Sequence, residues 1–120
     1  MYSRFVAQTT IILKCLQELE ELLEKTIERY FANKIKNNKG ECIKFTGVAG
    51  LPDRIILLPG GKVFFVEFKR AGEAPRKIQE YTHNKFRSLG FKVYVVDSKD
   101  KTKEVFEEWN LDLMTTKNKR

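Results

Sequence analysis

The chain has 120 residues, 42% hydrophobic and 32% charged, with 23 Lys and Arg against 16 Asp and Glu and a net charge of +7. That composition describes one globular domain with a single core, and its basic balance suits an anionic partner such as nucleic acid. No run approaches the about 20 apolar residues of a membrane span. One His and two Cys without Cys-x-x-Cys spacing argue against a zinc site.

Residues Gln17 to Lys36 carry Leu19, Leu22, Leu23, Ile27, Tyr30, Phe31 and Ile35 at three- and four-residue intervals, which predicts an amphipathic helix ended by Asn37-Asn38-Lys39-Gly40. Thr9 to Leu13 would also suit a strand, so the start of that helix stays open. If residues 1–16 do not pack on the domain, their apolar character suggests a subunit contact. Arg4 and the short run Ile11 to Leu13 do not make a signal peptide, and Cys15 and Cys42 are expected as buried thiols in a reducing cytoplasm.

Glu41 to Thr46 is a short predicted strand. The small-residue run Thr46 to Gly50 then leads to Leu51-Pro52-Asp53. Ile55 to Leu58 and Val63 to Phe68 flank Pro59-Gly60-Gly61, the pattern of an antiparallel hairpin. A polar loop follows, and Pro75 suits the first turn of a helix whose stripe is Ile78, Tyr81 or Thr82, Phe86 and Leu89, closed by Gly90. Phe91 to Val96 is almost wholly apolar and is expected as a central strand, joined to the Glu67 strand by a right-handed parallel crossover. Asp100 is expected to cap a last helix carrying Val105, Phe106 and Trp109. The tail from Thr115, with Lys117, Lys119 and Arg120, is expected to be disordered.

The chemistry lies in the hairpin. A three-residue loop pairs Leu58 with Lys62, and counting outward sets Asp53 opposite Glu67, with Lys69 on the same face. Facing residues have Cβ atoms roughly 4.5–5.5 Å apart, so two carboxylates there repel unless a cation lies between them. Hard oxygen ligands suit Mg²⁺, and an adjacent lysine can orient water or hold a phosphate oxygen. The pattern therefore points to a metal-dependent phosphodiester hydrolase. Gln79, in the first turns of the second long helix, can bind a phosphate oxygen or help seat the lysine. Among Glu21, Glu24 and Glu28 on the first helix, Glu28 is the candidate for a further metal ligand. His83 ranks below the carboxylates as a base. Arg54, Arg70, Arg76, Lys77 and Arg87 are candidates for phosphate contact. A DNA-binding module without catalysis would share the basic charge but leave the acidic pair unexplained.

The order helix, three strands, helix, strand, with Asp53, Glu67-x-Lys69 and Gln79, resembles the PD-(D/E)XK nuclease superfamily. More narrowly, Gly50-Leu-Pro-Asp-Arg-Ile-Ile-Leu-Leu-Pro-Gly-Gly, Val66-Glu-Phe-Lys, Pro75-Arg-Lys-Ile-Gln79 and Leu89-Gly-Phe-Lys-Val-Tyr-Val-Val are similar to the virus-type replication-repair nuclease domain, VRR-NUC. The likeness spans roughly Glu24 to Ser98. It implies an α/β, restriction-endonuclease-like core with an αβββαβ mixed sheet flanked by helices, making one domain of the whole chain. It implies a Mg²⁺- or Mn²⁺-dependent DNA nuclease in which Asp53, Glu67, Phe68 and Glu28 form the metal set, Lys69 activates water and Gln79 completes the site. It further implies a cytoplasmic homodimer, of a bacterial host or phage-encoded, like phage-borne enzymes acting on branched DNA such as four-way junctions. A restriction-like endonuclease and an exonuclease remain alternatives within the fold. Phe68 stands where the family often has leucine, and residues 1–16 have no counterpart in it.

Overall fold

The computed structural model describes the backbone of residues 2–113 and the side chains of residues 6–113. Its elements run α1 (Tyr2–Asn37), β1 (Glu41–Lys44), β2 (Arg54–Leu58), β3 (Lys62–Phe68), α2 (Lys77–Ser88), β4 (Lys92–Val96) and α3 (Lys99–Glu108). The four strands form one mixed sheet in the order β1-β2-β3-β4, antiparallel except for the parallel pair β3 and β4. The strands that α2 joins are parallel, as expected of a crossover connection.

The sheet register follows from its one tight turn. Gly60 and Gly61 take φ of 85° and 74°, a conformation that side chains with a Cβ rarely adopt. The three-residue loop then pairs Leu58 with Lys62 and, at the far end, Arg54 with Val66. Strict alternation along β3 sends Phe64, Val66 and Phe68 to one face and Phe65 and Glu67 to the other.

On the first face the end of α1 and the length of α3 close an apolar core. Phe31, Ile35, Ile56, Phe64, Val66 and Phe106 are fully buried there. Phe31 sits at its centre, nearly perpendicular to Phe68 and Phe106 at centroid distances of 5.5 and 5.2 Å. Burying a side chain of this size contributes about 1.5–3 kcal/mol. Asn38 anchors the end of α1: its Nδ2 donates to the carbonyls of Lys34 and Asp112, and its Oδ1 accepts from the Asp112 N–H. The second face is covered by α2.

Several expectations need correcting. α1 begins at Tyr2 and not near Gln17, so Thr9 to Leu13 is helical; neither Gly nor Pro interrupts residues 2–37. β4 lies at the sheet edge, not its centre. Its apolar character reflects helices packed on both of its faces, which a parallel strand meets wherever it stands in the sheet. Ser98, not Asp100, caps α3, its Oγ accepting from the Lys101 N–H. Pro75 precedes α2, whose N-cap is Arg76. Cys15 is exposed on α1, while Cys42 is half-buried. The expected disorder from Thr115 falls outside the described residues.

Candidate active site

The site begins where the hairpin ladder ends. One residue beyond the Arg54–Val66 pair stand Asp53 and Glu67. Asp53 is held from two sides: its carbonyl accepts from the Phe45 N–H, and its Oδ2 accepts from the Phe68 N–H at 2.8 Å. Buried Pro52 and Gly50 set the approach to it. Gly50 has φ of 86°, and a Cβ there would lie 2.9 Å from Ile78 Cγ1 and 3.2 Å from the Ile78 carbonyl. Glycine therefore lets the loop that carries Asp53 press directly on α2.

Glu67 is only 2% exposed. Its Oε2 accepts from Gln79 Nε2 at 3.0 Å, and Lys69 Nζ lies 3.6 Å from the same oxygen. The other oxygen, Oε1, is buried with no hydrogen-bond partner. Burial first, and then the nearby Asp53 carboxylate, raise the Glu67 pKa to about 7, with Lys69 opposing the rise. In the absence of a cation Glu67 therefore holds its proton well above the ordinary carboxylate range.

Lys69 is itself buried, at 8% exposure, with Glu73 Oε1 3.9 Å from its Nζ. Its main chain extends the sheet, the N–H donating to the Val96 carbonyl of β4 at 3.0 Å. Gln79 is fixed at both ends of its amide, because its Oε1 also accepts from the Arg76 N–H at the start of α2. The amide thus grips the helix start and the acidic strand together.

His83, one turn beyond Gln79, is 1% exposed, and its Nε2 lies 3.7 Å from Glu67 Oε1. That distance is too long for a hydrogen bond, and Nε2 is likewise without a partner. Burial, helped by Arg87 and Lys69, lowers the histidine pKa and keeps the ring neutral at pH 7. From the sequence it ranks below the carboxylates as a base, although its spacing of four from Gln79 puts it on the same helix face.

The remaining candidates lie further out. Glu28 pairs with Arg54, Oε2 to Nη2 at 3.2 Å, so each occupies the other at the edge of the site. Arg70 pairs with Glu21 at 2.9 Å. Arg87 Nη2 donates to the Val93 carbonyl and braces α2 against β4, away from the carboxylates. Arg76 and Lys77 are exposed beside Gln79. The Phe68 side chain packs in the apolar core against Phe31, which leaves only its main chain at the site. A cleft of about 340 Å³ opens beside Lys69, lined by Glu24, Ile27, Arg70, Asp97 and Lys99 among others.

Two carboxylates present hard oxygens, one of them buried and unsatisfied, and this donor set could hold a small divalent cation. Among the described residues no group of three or more His, Cys, Asp or Glu could hold a metal ion. A cation bound here would complete its shell with water or substrate oxygens, as Mg²⁺ commonly does.

No family model matches the chain. A protein of Acyrthosiphon pisum secondary endosymbiont phage 1, named "Putative nuclease p44", is 39% identical over 79 residues, spanning 64% of this chain and 85% of its own length. A solved VRR_NUC domain superposes with a TM-score of 0.67 at 28% identity, covering 72% of this chain and 97% of the other.

Proposed function

The chain belongs to the VRR-NUC nuclease family, and from that premise we propose that it is a Mg²⁺- or Mn²⁺-dependent endonuclease that cuts the phosphodiester backbone of branched DNA, working as a homodimer. The observation that carries the metal-dependent reading is Glu67 Oε1, a buried carboxylate oxygen with no donor, beside a second carboxylate and a lysine. Leaving such an atom unsatisfied is costly, and a divalent cation removes the cost. The branched substrate and the dimer rest on the likeness of short family members to junction-cutting enzymes.

Asp53 and Glu67 would hold the cation, which supplies Lewis acidity to the attacking water and offsets negative charge on the phosphate. The Phe68 N–H fixes the Asp53 carboxylate. Gln79 occupies Glu67 Oε2 and leaves Oε1 as the oxygen that would hold the cation. Lys69, held on β3 and β4 by its main chain, presents a point charge to the water or to a phosphate oxygen. Neutral His83 closes the floor of the site without adding charge. Exposed Arg76 and Lys77 contact phosphates along the duplex, and Arg70 joins them by exchanging Glu21 for DNA.

The test is a cleavage gel comparing four-way junction, flap, duplex and single strand, with Mg²⁺ and with chelator. Junction cutting that needs Mg²⁺ and disappears in Asp53→Asn, Glu67→Gln and Lys69→Ala, while junction binding survives, is the expected result. Cutting that persists in Glu67→Gln removes the assignment. Salt-dependent binding without cleavage of any substrate would identify a binding module instead.

A further inference from the structure

From Val6 to Lys25, α1 contributes no residue to the apolar core. Ile11, Ile12, Leu13, Leu16, Leu19 and Leu22 each expose half or more of their surface, whereas the core begins at Ile27 and Phe31. Exposure on this scale is unusual for a monomer in water, and an unsupported helix has little stability of its own. The apolar residues are also ordered. Ile12, Leu16, Leu19 and Leu23 recur at spacings of four, three and four, the seam of a two-stranded coiled coil, with Leu13 and Leu22 flanking it. A membrane span does not account for them, since no described helix is long and apolar enough to cross one.

We propose that this face docks on the same face of a second copy, the two helices running antiparallel about a two-fold axis near Lys14. Charge selects the direction. Residues 2–17 carry Arg4 and Lys14 and no acid, while residues 18–24 carry Glu18, Glu20, Glu21 and Glu24. A parallel pair would set acid beside acid, whereas an antiparallel pair sets each acidic half beside the other copy's basic half. Seam packing then places Ile12 against the partner's Leu16, and Leu16 against the partner's Ile12, a self-complementary contact of the kind a two-fold dimer requires. Glu28 stands fourteen residues from the axis, so at 1.5 Å per residue the two Glu28 positions lie about 40 Å apart along the helices. The pairing does not depend on the nuclease reading, and its test does not use cleavage.

Sedimentation of the full chain at micromolar concentration is expected to give the dimer mass. The double variant Leu16→Asp, Leu19→Asp is expected to halve it, with the near-ultraviolet signal of the Trp109 core unchanged because neither residue touches that core. Direction is read from Cys15, which sits beside the seam. The antiparallel pair brings both Cys15 thiols to one side near the axis, where a short bismaleimide joins them, and Cys15→Ser abolishes the product. In a parallel pair the two thiols lie on opposite sides. A monomer at these concentrations, a dimer indifferent to the double variant, or a dimer that Cys15 does not cross-link would each overturn the proposal. So would a monomer that binds vesicles of anionic lipid through this face.

Discussion

The two faces of the sheet are built from the same strands to opposite ends. Toward α1 and α3, β3 presents Phe64, Val66 and Phe68 to an apolar core in which Phe31 meets its neighbouring rings nearly at right angles. Toward α2 it presents Phe65, clustered with Phe45, Phe86 and Phe91, and then, two residues on, Glu67 against Gln79 and His83. The first face supplies stability. The second spends some of it, because a raised carboxyl pKa and two unsatisfied buried atoms are unfavourable in a folded protein. Alternation of side chains lets one strand serve both faces, since what strains one does not loosen the other.

Substitutions can break or sharpen this contrast. Phe31→Ala empties the middle of the apolar face and is expected to cost about 3–5 kcal/mol by denaturant unfolding. Gly50→Ala, on the α2 side, meets both a positive φ and the Ile78 main chain. It is expected to cost about 1–3 kcal/mol and to cut metal-dependent cleavage as Asp53 shifts. Glu67→Gln should do the reverse of Phe31→Ala: without metal at pH 8 it is expected to stabilise the fold by on the order of 1–3 kcal/mol while abolishing cleavage.

The same group predicts a pH course. Folded Glu67 titrates at about 7 and its ordinary value is 4.5, so the folded state binds the extra proton between them. Its contribution is complete below pH 4.5 and is lost as pH rises through 7. Metal-free protein should therefore lose stability across that window in urea unfolding, by an increment that Glu67→Gln removes. The smallest effect belongs to the outer side of α2, where Tyr81→Ser, at a site 70% exposed, should move stability by no more than about 0.5 kcal/mol.

The contrast also explains what the sequence discloses. The hairpin, its register and the placing of Asp53 near Glu67 are legible because turn chemistry and strand alternation are local rules. The inward side of α2 is not. Hydrophobic periodicity points to Ile78, Tyr81 or Thr82, Phe86 and Leu89. Phe86 does pack on Phe65, but Ile78, Tyr81 and Leu89 are half to two-thirds or more exposed, and Gln79 and His83 face the sheet. A helix that buries polar residues defeats a rule that equates apolar with inside. The start of α1 is hidden for another reason: β-branched Thr9 to Ile12 suit a strand locally, and no pattern in the neighbouring residues marks them as helical. The Glu28–Arg54 pair joins residues 26 apart, beyond the reach of any local pattern.

The brace between the Lys69 main chain and Val96 bears on how the protein matures. A growing polypeptide contains Asp53, Glu67, Lys69 and Gln79 well before it contains the edge strand that holds the lysine in line. Contacts this distant form late in folding. During synthesis the assembled residues would therefore lack their alignment, and a cutting centre would come into register only after the last strand had left the ribosome.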